Sequence, residues 1–181
     1  LASLKLVRYG TRTQFGTQCC FVQADKYFII LDGQRLPIVL EERDGVIKRR
    51  PYANTELDPA ATPTVSYQSL PRASIGVFAH GRLHLVPYKI PTTGETGASS
   101  LLSGDIMEPL YPHNVLRFTE TEYLSEGGAH ALPFQMGTIG ALGVIRNAAS
   151  GTGTGHVLAL ATDGVCAFDF SIPRSLWKEQ P

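Results

Sequence analysis

Hydrophobic residues in this chain fall in short runs, and the longest patterned stretch is Gly140–Pro173. Its first apolar run, Ala141–Ile145, precedes a turn at 147–155 that is rich in Gly, Ser and Thr. A second run, His156–Phe170, is broken once at Thr162–Gly164. Branched apolar side chains pack well on a pleated surface, and glycine permits the turn between them. The stretch therefore predicts a long β-hairpin, and its many glycines argue against a helix.

Shorter apolar or alternating runs elsewhere in the chain predict further strands. An Asp32-Gly33 pair marks a turn between two of them. In the stretch Gly81–Ile90, alternation places Leu83 and Leu85 on one face and His84 on the opposite, polar face. The strands predicted in this way are Leu4–Tyr9, Cys19–Val22, Tyr27–Leu31, Leu36–Leu40, Gly81–Ile90 and Val115–Thr119.

Two segments favour short helices. The charged residues Glu41–Arg43 are compatible with a helix start, and Ser69–Ala79 begins with a Ser-x-Pro pattern before continuing as a strand. The proline-rich stretch Pro51–Pro63 predicts a loop and no domain boundary, because the roughly 60 residues before it would form only a small core. About eight short strands separated by turn signals predict a single all-β domain, residues 1–181, with a sandwich or barrel architecture.

Composition narrows the class of protein. The 181 residues contain 43% hydrophobic residues, enough for one folded domain with a sizeable core. Lys and Arg together number 16, as do Asp and Glu, so the formal net charge is zero. This balance argues against a dedicated nucleic-acid binder, whose affinity depends on excess positive charge, although weak contact of one face with RNA stays open.

The cysteines and the chain start indicate how the protein is made. Cys19, Cys20 and Cys166 are odd in number and two are adjacent, which predicts reduced thiols in a cytosolic product. No secretory signal or membrane-spanning apolar run is present in the sequence, so no membrane partner is predicted. The first residue is Leu1, and we expect either processing from a larger precursor or a trimmed sequence.

Candidate catalytic and ligand-binding patterns are incomplete. Cys166 is followed by Ala167 where viral cysteine proteases of the trypsin type carry Gly, so a buried core thiol is predicted. His80 and His84 are four residues apart but lack the glutamate of a metalloprotease helix. The stretch Gly151–Gly155 precedes a strand rather than the helix of a phosphate loop. We predict no enzyme activity, no metal or other cofactor, and no small-molecule substrate.

Basic residues supply the candidate contact sites. The cluster Lys48-Arg49-Arg50 most simply belongs to a solvated face, and its sharper interpretations are a subunit salt bridge or a genome-facing patch. Arg8 and Arg12 near the chain start are candidates for the same kinds of contact. The sequence leaves open whether these five residues contact RNA or a sibling subunit.

Two segments resemble coat proteins of picorna-like viruses. They are Ser69–Ala73 followed by Phe78–Leu85, similar to a short helix that leads into an aromatic-x-x-Gly step and a long strand, and the hairpin Gly140–Pro173. The hairpin resembles the last two strands of those proteins, including the break in the final strand and the exit to Pro173. The likeness is greatest to the small single-domain coat proteins of plant secoviruses of the cheravirus type, and it covers residues 65–173.

The resemblance implies an eight-stranded antiparallel jelly roll with one or two short helices in its loops. It also implies release from a polyprotein in the host cytoplasm and co-assembly with sibling coat proteins into an icosahedral virion. The shell would enclose a positive-strand RNA genome, contacted weakly or indirectly. Two alternatives remain, a β-sandwich carbohydrate-binding or attachment domain and, less favoured, a trypsin-like viral cysteine protease.

Overall fold

The computed structural model describes residues 18–50, 70–88, 99–110, 112–118, 128–145 and 155–170. These residues form eleven β-strands and two short 3-10 helices, Pro112–Leu116 and Phe134–Met136, so the prediction of an all-β fold is confirmed. The strands are β1 Cys20–Ala24, β2 Tyr27–Leu31, β3 Ile38–Arg43, β4 Val46–Arg49, β5 Ala73–Ala79, β6 Arg82–Pro87, β7 Ser100–Ser103, β8 Gly128–Ala131, β9 Ile139–Val144, β10 Val157–Ala161 and β11 Gly164–Phe168.

The strands form three antiparallel sheets in which neighbours along the chain are neighbours in space. Sheet A has the order β1-β2-β3-β4, sheet B the order β5-β6-β7-β8, and sheet C the order β11-β10-β9. A jelly roll is built from Greek keys, in which strands distant along the chain lie side by side. The described strands form no such pair, and they number eleven rather than eight. Each described sheet is a meander, in which each strand pairs with the next one along the chain.

Tight turns explain why each strand pairs with the next. Asp44-Gly45 joins β3 to β4 and His80-Gly81 joins β5 to β6, with positive φ at all four residues. Two-residue turns of this kind match the twist of antiparallel strands and favour Gly and Asp or Asn. The hairpin predicted in the stretch 140–173 is confirmed in part, since β9 pairs antiparallel with β10. The expected break in the second strand is instead a turn, because the chain reverses at Thr162 and Asp163 and β10 pairs with β11. Most of the turn expected at 147–155 lies outside the described residues.

Three local predictions are wrong. Residues Glu41–Arg43 belong to strand β3, and Leu70–Arg72 are irregular before β5, so neither segment contains the expected helix. The expected strand at Val115 instead lies in a 3-10 helix that ends at Leu116. The residue after this helix is tied to the loop that follows β7, because Asp105 N–H donates to the Arg117 carbonyl at 3.0 Å. The expected strand Leu4–Tyr9 lies outside the described residues.

Sheet B contributes to two hydrophobic clusters. Leu83 and Leu85 on β6 pack with buried residues of sheet A, such as Tyr27, whereas Val86 packs with residues of sheet C, such as Val157. Both faces of β6 are therefore buried, and His84 has no exposed surface. The prediction that His84 lies on a polar face is wrong because sheet C covers that face.

Gly104, at the end of β7, approaches backbone too closely for a side chain. A Cβ atom at this position would lie 2.7 Å from the Val115 carbonyl oxygen. We expect Gly104→Ala to lower the free energy of unfolding by about 1–3 kcal/mol, since the backbone must shift. The matched control is Gly143→Ala, where nothing lies within 4 Å of the added atom. Urea unfolding followed by circular dichroism measures both, and equal midpoints would contradict the prediction.

Candidate functional site

The face of sheet A that points away from the core is mainly apolar. Directly paired residues of an antiparallel sheet share a face, and the register pairs Phe21 with Ile30, and Phe28 with Leu40. The alternate residues Val22, Ile29 and Val39 are buried in the core. We define the outer face by its apolar side chains, Phe21, Phe28, Ile30, Ile38, Leu40 and Ile47. The exposed polar side chains Gln23, Glu42 and Arg49 lie on the same side of the sheet, at the edges of this apolar set.

Solvent reaches much of this outer face. Phe21 and Ile47 are each 61% exposed, and Phe28 is 36% exposed. The two phenylalanine rings stack with centroids 5.8 Å apart and an angle of 16° between their planes. An antiparallel sheet with one solvated face normally alternates apolar and polar side chains. A contiguous apolar face is therefore typical of a surface that another molecule covers.

A cleft of about 240 Å³ opens beside the outer face and shares two of its side chains, Ile30 and Ile38. The remaining lining residues are Asp32, Arg35, Leu36, Arg49 and Arg72. Three arginines, one aspartate and three apolar residues thus line the cleft. The aspartate carboxylate is held by the loop after β2, because Asp32 Oδ1 accepts hydrogen bonds from the backbone N–H groups of Gln34 at 3.0 Å and Arg35 at 2.8 Å.

Tertiary contacts bring Arg72 to this cleft from a distant part of the chain. Gly33 N–H donates to the Ala73 carbonyl at 2.9 Å, which joins the loop after β2 to the start of β5. Gly33 has a φ of 76°, and a Cβ there would lie 3.2 Å from atoms of Ser74 and Tyr88. Glycine is thus needed both for the backbone conformation and for the close approach.

The predicted basic cluster is divided between the two faces of sheet A. Arg49 lines the cleft. Lys48 lies opposite Glu41 in the strand register, on the other face of the sheet, and its side chain is exposed. Arg50 is buried: its Nη1 lies 2.8 Å from Glu41 Oε2 and 3.3 Å from the Tyr27 hydroxyl. The charge of Arg50 therefore lies inside the subunit. Arg8 and Arg12 lie outside the described residues, and the contact roles of all five residues stay predictions.

A buried histidine lies between sheets B and C. His84 Nε2 lies 3.3 Å from the Ala79 carbonyl, and His84 Nδ1 lies 2.8 Å from Ser103 Oγ. Since a carbonyl only accepts, Nε2 carries the proton and Nδ1 accepts from the Ser103 hydroxyl. Burial lowers the pKa of His84 to about 3, with smaller contributions from neighbouring charged groups. The imidazole is neutral, and with both side chains buried this serine–histidine pair is inaccessible to a substrate.

The other histidines do not complete a metal site. His80 lies in the turn between β5 and β6, and desolvation lowers its pKa. His130 packs edge-on against Phe170, whose ring also stacks on His84 at 4.3 Å. Within the part of the chain that the structure describes, no group of three or more His, Cys, Asp or Glu side chains is placed to hold a metal ion.

Cys166 has the environment of a core residue. It lies on β11 opposite Ala159 and packs in the cluster between sheets B and C. Burial raises the pKa of its thiol. A nucleophilic cysteine needs the opposite shift, because the thiolate is the reactive form. The environment of Cys166 agrees with the predicted core role.

Sequence reasoning missed the outer face, although a signal was present. The runs 27–31 and 38–40, Tyr-Phe-Ile-Ile-Leu and Ile-Val-Leu, are apolar at every position rather than at alternate positions. A strand without alternation is typical of one that is covered on both faces. The cleft had no comparable signal, since Arg72 is separated from Arg35 and Arg49 along the chain.

Comparison of the chain with known protein families, curated proteins and solved structures finds no match. Among the described residues, no helix has the length and apolar character that crossing a membrane requires.

Proposed function

We propose that the chain is a structural subunit of a protein shell and that the outer face of sheet A is one of its contacts with a neighbouring subunit. In its specific form the proposal is a coat protein of a non-enveloped positive-strand RNA virus, assembled with sibling coat proteins around the genome. The observation that carries the structural role is the contiguous apolar outer face with its exposed Phe21–Phe28 stack.

The size of the outer face favours assembly through several modest contacts. Four strands spaced about 4.8 Å apart, with about five residues of 3.3 Å rise, cover on the order of 300 Å². One side of a standard stable interface buries about 800 Å². The outer face alone therefore supplies the apolar centre of a contact, with aromatic anchors of the kind that dominate interface energies. A closed shell repeats such contacts around every subunit.

The carbohydrate-binding alternative fits this face less well. An exposed aromatic pair such as Phe21 and Phe28 offers a stacking platform for a sugar ring. Ile30 and Leu40, however, are paired with these rings across the sheet and have no side-chain group to bond a sugar hydroxyl. Gln23 is the cross-strand neighbour of Phe28 on β1, and its Nε2 already donates to the Asp25 carbonyl. An apolar protein surface is the better complement.

The resemblance to coat proteins supports the specific form through one of its two segments. Phe78–Leu85 spans the end of β5, the His80-Gly81 turn and most of β6, as the resemblance implies. In sheet C the expected break in a final strand is a hairpin turn between β10 and β11, so this segment does not add support. The jelly-roll arrangement stays a prediction, because the described ladders are meanders.

Oligomer formation is expected to depend on Ile47 and not on its neighbour Val46. Both side chains are more than half exposed on β4, but only Ile47 lies on the outer face. Ile47→Glu would place a charge in the contact, so we expect the concentration needed for assembly to rise about tenfold or more. Val46→Glu adds the same charge to the opposite face and should change it by less than about twofold.

Sedimentation velocity and electron microscopy of the chain co-expressed with its neighbouring coding segments provide the measurement. Discrete particles that weaken with Ile47→Glu support the proposal. A stable monomer at all concentrations, or equal effects of the two variants, would overturn it.

A further inference from the structure

The arginine-lined cleft has a chemical character different from that of the outer face. Arg49 and Arg72 line it, and no carboxylate of the described residues forms an ion pair with either of them. Asp32, the acidic residue of the lining, is oriented by two backbone N–H groups of its own loop. Arg49 and Arg72 together carry two positive charges against the one negative charge of Asp32, so this part of the lining complements an anion.

The apolar floor restricts which anion fits. Ile30, Leu36 and Ile38 line the same cleft as the arginines and form its apolar part, called here the floor. A carboxylate next to an apolar side chain satisfies both features, because guanidinium and carboxylate form paired hydrogen bonds while the floor takes the apolar group. The sugar-phosphate backbone of RNA would leave the floor in contact with polar groups. A volume of about 240 Å³ lies below the range of sites for drug-sized ligands, and it suits one or two residues.

We propose that this cleft binds a carboxylate carried by an apolar segment of a neighbouring subunit, either a chain-terminal carboxylate or an Asp or Glu beside an apolar residue. Because the cleft shares Ile30 and Ile38 with the outer face, one partner surface covers both. The carboxylate sets the register of the contact, and the apolar face supplies its burial. This inference rests on the proposed function and assigns the partner chemistry of the same surface.

Short acetylated peptides test the chemistry of the cleft. The first probe is Leu-Leu-Glu-Leu with an amidated end, the second is Leu-Leu-Gln-Leu with a free carboxylate, and the third is Leu-Leu-Gln-Leu with an amidated end. Binding is followed by NMR shifts of the arginine Nε–H signals. We expect one or both acidic peptides to bind about tenfold more tightly than the neutral one. The first two probes distinguish a side-chain carboxylate from a terminal carboxylate.

Matched variants identify the residues responsible. Arg49→Gln and Arg72→Gln should each weaken binding of the acidic peptide about fivefold or more, and added salt should reduce the difference. Lys48 directly precedes Arg49 on β4, and its side chain lies on the opposite face. Lys48→Gln removes one positive charge there and should leave peptide binding unchanged. Equal binding of all three peptides, equal effects of the three variants, or tighter binding of a uridine oligonucleotide would overturn the proposal.

The two proposals fail in different ways. Particles that form normally with Arg49→Gln and Arg72→Gln, together with no preference for acidic peptides, would overturn the cleft proposal and leave the shell proposal intact. Selective binding of acidic peptides by a chain that never assembles would support the cleft as a carboxylate site and overturn the shell.

Discussion

Acidification from pH 7 to pH 4 is expected to lower the free energy of unfolding by about 3 kcal/mol through His84 alone. The imidazole is fully buried and neutral, and burial lowers its pKa from 6.5 to about 3. In the unfolded chain the same imidazole takes up a proton near pH 6.5. The unfolded state therefore binds more protons between these values, and stability falls as pH decreases through this window.

Positive charges near His84 lower its pKa further than burial alone does. His80, Arg82 and His130 each lower its pKa by charge repulsion, while the hydrogen bond to the Ala79 carbonyl opposes them. The pKa of His80 is itself lowered, mainly by burial. Above about pH 7.5 the contribution of His84 no longer changes with pH, and below about pH 2 it is fully lost.

Two variants separate the titration of His84 from its packing. His84→Gln retains hydrogen-bonding groups but cannot titrate, so its free energy of unfolding should depend less on pH by about 3 kcal/mol between pH 7 and pH 4. Ser103→Ala leaves Nδ1 without its donor and should cost about 1–3 kcal/mol with the pH dependence retained. Urea unfolding at a series of pH values measures both, and parallel curves for His84→Gln and the parent protein would contradict the prediction.

Glu41→Ala is expected to destabilise the protein by about 3–5 kcal/mol. Glu41 and Arg50 are each 6% exposed at their side chains, with 2.8 Å between Oε2 and Nη1. The guanidinium also lies over the Tyr27 ring, 5.5 Å from its centroid. Removing the carboxylate leaves the charge of Arg50 buried without this partner, and an unpaired buried charge is costly.

The adjacent residue provides the control for this substitution. Glu42 is exposed on the opposite face of β3, so Glu42→Ala should change the free energy of unfolding by less than about 0.5 kcal/mol. The double substitution Glu41→Leu with Arg50→Met should recover most of the loss, because an apolar pair avoids the desolvation of two charges. Equal effects of Glu41→Ala and Glu42→Ala on urea unfolding would show that the ion pair is not important for stability.

Local sequence predicted those elements whose signals are local. The pairing of β9 with β10 was predicted because two apolar runs flank a Gly-rich stretch. Thr162-Asp163-Gly164 was expected to break a single strand, but it reverses the chain between β10 and β11. The strand expected at Val115 failed because a short apolar run has no periodicity long enough to distinguish a strand from a turn of helix. The coverage of such a run by sheets A and B decides its conformation.

The candidate site depended on information that lies far apart in the chain. Alternation assigned a polar face to His84, yet packing of Phe170 against the imidazole buries that face. The cluster Lys48-Arg49-Arg50 was one basic run in the sequence, and strand alternation sends Arg49 to the cleft and Arg50 to the core. The alternation of residues along a strand does not predict which of its two faces will pack against another part of the protein.

The sequence by itself determined that this protein is all-β and where most of its described strands lie. These properties depend on residues close together in the chain, such as the Asp-Gly pairs and the apolar runs of β2 and β10. Tertiary structure alone decided that Arg50 and His84 are buried, that Arg72 joins Arg49 at one cleft, and that one apolar face of sheet A is left open. The physical reason is that burial is shared between sheets: each face is covered or exposed by whichever element packs against it.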